Sequence, residues 1–121
     1  MARILVVEDD DSVRDFTARA LRASGHSVDT ADDGDSGLEQ VSNADGDYGL
    51  VLSDIRMPVM DGIEMARQAA SAYPDLKILL MTGYAEQRER AADLQEIIVD
   101  VIAKPFTLTD LRKSVEHALR L

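Results

Sequence analysis

The chain has no cysteine, only three prolines among its 121 residues, and no apolar run approaching the ~18 residues of a membrane span. Each absence closes a class of function. Without cysteine there are no disulfides, no thiolate nucleophile and no Cys-ligated zinc or iron–sulfur centre. The opening MARILVVEDD meets acid too soon to act as a secretory signal, so the expected location is cytoplasmic. Positive charge is scarce as well: 13 Lys+Arg against 23 Asp+Glu leave a formal net charge of −10. That balance argues against nucleic acid, anionic membrane or heparin as the main partner, and against an attached basic DNA-binding domain. What is present is 45% apolar residues in the length of one ordinary domain, which can bury a core without staples. The expectation is a single domain over residues 1–121.

Short apolar runs alternate with longer amphipathic ones. Ile4–Val7 reads as a strand that ends abruptly in acid. Val13, Phe16, Thr17, Ala20 and Leu21 then recur at helical spacing, with Asp11 or Ser12 as the expected cap and Gly25 as the stop. Ser27–Thr30 is a short strand. Asp35–Ala44 is a second helix, weakened by Gly37 within it and Gly34 just before it. Leu50–Leu52 is a buried strand leading to Ser53 and Asp54, followed by a helix over Gly62–Ala72. Leu76–Met81 is the fourth strand, Ala85–Leu94 a mostly polar fourth helix, Ile97–Ile102 the fifth strand, and Thr107–Leu121 the fifth helix. Pro58, Pro74 and Pro105 all fall at junctions. Continuous apolar strands alternating with helices predict an α/β domain, a doubly wound five-stranded parallel sheet with five helices.

This parse makes a geometric statement. Glu8 and Asp9 follow strand one, Asp54 ends strand three, Thr82 ends strand four and Lys104 follows strand five. In an open α/β sheet, ligands bind outside the carboxyl ends of the strands, where strand order reverses. Four polar sites far apart in sequence should therefore share one crevice. Asp10 and Asp11 are read as solvated turn or cap residues. Glu8, Asp9 and Asp54 differ, because adjacent strands bring them together. At ~5 Å and an effective dielectric of ~20, each like-charge pair costs about 3 kcal/mol. A domain of marginal stability does not keep such a cluster idly, so it implies a cation. Hard oxygen ligands on a partly open site suggest Mg²⁺. Lys104 can serve as a point charge for phosphate, and the Thr82 hydroxyl can donate to a phosphoryl oxygen. His26 and His117 are read as surface residues, and Met57 and Met60 as packing.

Four motifs then stand in a recognisable order: LVVED at Leu5–Asp9, LSDIRMPVMDG at Leu52–Gly62, LLMTG at Leu79–Gly83 and AKPF at Ala103–Phe106. Together they span the chain, and the sequence resembles the receiver domain of bacterial two-component response regulators, the CheY-like family. The resemblance implies a flavodoxin-like sheet of order 2-1-3-4-5, which periodicity does not provide. It implies that Asp54 is the phosphoacceptor and that Glu8 and Asp9 hold Mg²⁺, with the Arg56 backbone carbonyl as a further ligand. Thr82 matches the switch hydroxyl, Lys104 the lysine that pairs with the phosphoryl group, and Pro105 a proline usually preceded by a cis peptide. The implied partners are a sensor histidine kinase or a histidine phosphotransfer protein, and a downstream protein bound by the face of helix four, strand five and helix five. Such a domain is no enzyme beyond its own phosphorylation and dephosphorylation.

Two departures from the family pattern stand out. Val101 stands where an aromatic switch residue is usual, three before Lys104, and has no ring to rotate. Arg56 and Tyr84, two after Asp54 and Thr82, put large side chains beside the site. The leading expectation is a stand-alone phosphorylatable switch whose output is protein contact. Among stand-alone receivers it resembles the CpdR-like regulators, and that resemblance implies an alternative, an adaptor active when unphosphorylated. A receiver excised from a larger regulator and a pure adaptor with vestigial phosphorylation are alternatives; the intact Asp9, Asp54, Thr82 and Lys104 weigh against the second. A phosphatase of the haloacid dehalogenase type also uses a strand-end Asp, but needs an acid where this chain has Arg56.

Overall fold

A computed structural model describes residues 2–83, 94 and 96–121. Five strands form one parallel sheet: β1 (Arg3–Val7), β2 (Ser27–Ala31), β3 (Leu50–Asp54), β4 (Ile78–Thr82) and β5 (Asp100–Ala103), in the order β2-β1-β3-β4-β5. The described helices are α1 (Asp11–Ala23), α2 (Gly34–Asn43), α3 (Gly62–Ala72) and a C-terminal helix (Leu108–Leu119). The expected helix at 85–94 lies, apart from Leu94, outside the described residues, as does Tyr84. No helix among the described residues is long and apolar enough to cross a membrane.

Strand alternation divides the core in two. Leu5, Val7, Val51, Ile78 and Leu80 face one way, packing with α2 and α3 residues such as Val41, Ile63 and Ala66. Ile4, Val6, Leu50, Leu52, Leu79 and Met81 face the other way, against Leu21 of α1 and Leu111 and Val115 of the C-terminal helix. Period two in the strands meets period 3.6 in the helices, so each sheet face receives one apolar stripe. Met57 belongs to the α2/α3-side core and Met60 packs against it, as the packing reading expects.

Helix ends explain several small differences from the sequence reading. Asp10, not Asp11 or Ser12, caps α1: its carboxylate accepts from the Val13 N–H at 3.0 Å, because its extended backbone starts the helix one residue early. Gly25, at φ 96°, closes α1 as expected. Asp33 and Asp61 cap α2 and α3, and Thr107 forms a capping box with Asp110. Gly34 starts α2 rather than merely weakening it. A Cβ there would sit 2.1 Å from the Met60 carbonyl oxygen, so only glycine permits that approach. β5 is shorter than expected, beginning at Asp100. Phe16, placed by its spacing on the apolar face of its helix, is 46% exposed, and Leu108 is 37% exposed. Both line a groove between α1 and the C-terminal helix. His117 is exposed, whereas His26 is half-buried and its Nδ1 accepts the Ala2 N–H at 3.2 Å.

Candidate functional site

The strand order places the reversal between β1 and β3. Val7 is in register with Ser53, so the residues that follow, Glu8 and Asp54, emerge side by side. Glu8 is fully buried and Asp54 6% exposed; Asp9, one residue further out, is exposed. Carboxylate oxygens of Glu8, Asp9 and Asp54 all lie within 4.8 Å of one another. The convergence expected from sequence is therefore present, at the separation where each like-charge pair costs about 3 kcal/mol.

Lys104 crosses to this cluster from the far side of the sheet. Its Nζ donates to Glu8 Oε1 at 2.6 Å and to Asp54 Oδ2 at 3.1 Å. Its own backbone is anchored by Lys104 N–H to the Thr82 carbonyl at 2.7 Å, and Thr82 pairs with Ala103 in the ladder. Thr82 is 3% exposed, at the end of β4. The Lys104–Pro105 peptide is cis, as the resemblance implies. The Glu8 carboxylate also accepts the Asp9 N–H at 3.1 Å, and Asp54 Oδ1 accepts the Ile55 N–H at 2.9 Å. These bonds hold the carboxylates in fixed rotamers rather than leaving them to repel into solvent.

The electrostatic state follows. Burial pushes the Glu8 carboxyl up from 4.5 to about 8; the bond and charge of Asp54 add to the shift, while Lys104 opposes it. Burial lowers Lys104, but the bonds and charges of Glu8 and Asp54 outweigh it, and its ammonium is held more strongly than usual. One lysine thus serves two buried carboxylates, with a third carboxylate at the rim. A divalent cation suits that surplus. The donors are all hard oxygens, and the open side at Asp9 leaves room for further oxygen ligands, which is the chemistry of Mg²⁺.

Two supports were not legible in sequence. The loop after Asp54 returns tightly: Gly62 N–H donates to the Ile55 carbonyl at 2.7 Å, and a Cβ on Gly62 would lie 2.1 Å from the Asp54 carbonyl oxygen. Only the Asp61-Gly62 pair hinted at it. On the other flank, Arg14 Nη1 donates to the Glu8 carbonyl at 3.0 Å. The signal there was a basic residue near a helix N-terminus, where the dipole disfavours it. Arg56 is exposed beside the site, and Val101 is half-buried, packed on the α2/α3-side core. Beside Lys104 runs an apolar groove of about 450 Å³ lined by Ser12, Val13, Phe16, Pro105 and Phe106.

Comparison with known proteins agrees with this geometry. The response regulator receiver domain family matches residues 4–116. The response regulator receiver protein CpdR of Brucella abortus is 40% identical over 98% of both chains. The response regulator MprA of a Mycobacterium species is also 40% identical, but this chain spans only 50% of its length. Among solved structures, a CheY-like receiver domain protein from Methanospirillum hungatei superposes with a TM-score of 0.90 at 31% identity, covering 99% of this chain and 94% of the other.

Proposed function

The chain belongs to the response regulator receiver family, and on that premise we propose that it is a phosphorylatable switch whose acceptor is Asp54. One observation carries this reading: Asp54 sits in a buried, carboxylate-rich crevice with Lys104 bonded to its Oδ2. Receiver domains are signalling domains rather than conventional enzymes, and they generally bind Mg²⁺. Here Glu8, Asp9, Asp54 and the Arg56 carbonyl would hold the ion, which when bound supplies positive charge to the phosphoryl oxygens.

The remaining steps belong to the chain's own groups. An Asp54 carboxylate oxygen attacks phosphorus in line as the bond to the donor, a phosphohistidine nitrogen or the acetyl oxygen of acetyl phosphate, breaks. The leaving group departs with the bonding electrons, and an acyl phosphate forms. Lys104, already within reach of Asp54, shifts from carboxylate to phosphoryl oxygen and offsets its charge. The Thr82 hydroxyl donates to another phosphoryl oxygen. Because the Lys104 backbone is tied to Thr82, movement of one draws on the other, and β5 carries the change to the surface. Water later attacks the acyl phosphate, releasing inorganic phosphate and restoring Asp54.

The donor is a histidine kinase or phosphotransfer protein. The apolar groove beside Lys104, with Phe16 exposed at its edge, supports delivery by a protein surface. Output goes to a downstream protein through the face of β5 and the C-terminal helix; the fourth-helix part of the expected face lies outside the described residues. The test is incubation with acetyl phosphate and Mg²⁺, read by intact mass. The chain should gain one phosphoryl group, and Asp54→Asn or a chelator should abolish the gain; a full gain in Asp54→Asn overturns the assignment. The 40% identity to CpdR over 98% of both chains supports a second reading: an adaptor active when unphosphorylated. Beryllofluoride should then weaken partner binding rather than strengthen it.

A further inference from the structure

We infer that Arg14 is a positioning residue for the acidic crevice, acting by locking the peptide that joins Glu8 to Asp9. The inference rests on reading Glu8, Asp9 and Asp54 as the Mg²⁺ site. The sheet ladder of β1 stops at Val7, and the residues beyond it need other partners. Glu8 N–H still reaches the Ala31 carbonyl at 3.0 Å, but the Glu8 carbonyl has left the ladder. Arg14 supplies its partner, through Nη1 at 3.0 Å. The other side of the same peptide, the Asp9 N–H, donates to Glu8 Oε2 at 3.1 Å. That one peptide plane is thus held from both sides, and its orientation decides how the Glu8 and Asp9 carboxylates diverge.

The energetics of the alternatives favour this role. Arg14 lies near the N-terminus of α1, where the helix dipole disfavours a cation. Ordering a long side chain to 18% exposure costs rotamer entropy besides. Its other bond, Nη2 to Asp11 Oδ1 at 2.6 Å, involves a carboxylate 85% exposed, and such a surface pair contributes little. The contact that offsets these costs is the one to the Glu8 carbonyl. Arg14 therefore acts on the crevice by geometry, although its charge has the wrong sign for attracting a cation.

That opposition gives the test a sign. If Arg14 acted only through charge, its removal would tighten Mg²⁺ binding; if it holds the ligands in place, removal weakens it. Mg²⁺ titration calorimetry and the Mg²⁺-induced rise in melting temperature are measured on the unaltered chain, Arg14→Met, Arg14→Gln and Arg14→Lys. Both neutral variants should raise the Mg²⁺ dissociation constant about ten-fold, the scale of losing a group that orients a metal ligand. Arg14→Lys, which keeps a charged donor on a long side chain where Gln is shorter and neutral, should recover part of the loss. Should Arg14→Met not melt cooperatively, Arg14→Gln carries the comparison. A folded neutral variant that binds Mg²⁺ as tightly as the unaltered chain, or more tightly, overturns the inference. Absence of Mg²⁺ binding by the unaltered chain instead overturns the metal reading beneath it.

Discussion

The two ends of β1 carry charge clusters of opposite design. At the amino end, Arg3 pairs with Asp29 at 3.2 Å and stacks over the Tyr48 ring at 4.5 Å from its centroid, while the Tyr48 hydroxyl donates to the same Asp29 carboxylate at 2.8 Å. One cation meets one anion, and both side chains are nearly half exposed. At the carboxyl end, Lys104 serves Glu8 and Asp54 together, with Asp9 beside them, and Glu8 has no exposure at all. The first cluster is balanced and solvated, so it fastens β1 to β2 and the loop before β3 and does little else. The second gathers three carboxylates around one cation, two of them buried and the third at an open rim. Surplus charge under burial is what makes a site responsive to a cation or a phosphoryl group, because each changes the balance that the fold leaves open.

The comparison breaks most visibly at Lys104. Lys104→Met leaves two adjacent buried carboxylates without their cation. In metal-free buffer above about pH 8, urea unfolding should show a loss of about 3 kcal/mol. At lower pH the loss should shrink as Glu8 takes up a proton, and Mg²⁺ should restore much of it. A loss that is the same at all pH values would mean that the carboxylates are not what Lys104 balances.

The pH response sharpens the contrast in the unaltered chain. The folded state raises the Glu8 pKa from 4.5 to about 8, so the folded chain binds that proton more tightly than the unfolded one. The resulting stabilisation is complete below the unfolded value and is lost as pH rises through the folded one. Metal-free stability should therefore decline between about pH 5 and about pH 8 through this group. Mg²⁺ selects ionised carboxylates, so its stabilising effect should grow across the same window, with protons released on binding. Melting curves with and without Mg²⁺ at several pH values check both slopes. The other end stays silent here: burial, aided by the Asp29 bond, pushes the Tyr48 hydroxyl up to about 12, beyond the window.

The smallest effect belongs to the balanced cluster. Asp29→Asn should cost less than about 1 kcal/mol, as exposed ion pairs do, and should leave phosphorylation by acetyl phosphate unchanged. A large loss of phosphorylation would show that the amino end communicates with the crevice.

Local pattern made much of this readable in advance. Five apolar runs, the helical spacing of Thr17, Ala20 and Leu21, and the acids that terminate strands one and three can all be read in a short window, the runs and spacing from periods of two and 3.6. The helix over Gly62–Ala72 falls where spacing predicts it. The candidate acceptor was legible too, as an Asp ending a buried run, once four motifs stood in family order. Strand order itself came from that resemblance, not from periodicity.

Tertiary structure alone decided the rest, because it depends on which distant segments become neighbours. Nothing near Glu8 in the chain announces that it is fully buried, or that its cation comes from a residue 96 positions away. Helical spacing put Phe16 on an apolar face, but only the packing shows that it lines a groove between α1 and the C-terminal helix and stays 46% exposed. The Arg14 bond to the Glu8 carbonyl depends on a helix folding its first turns back over a strand end, which no pattern of residue types encodes. Sequence by itself determined the elements and the chemistry available to them, since those are local properties of the chain. The fold determined which charges are buried together, since electrostatic coupling depends on distance in space and on exclusion of water.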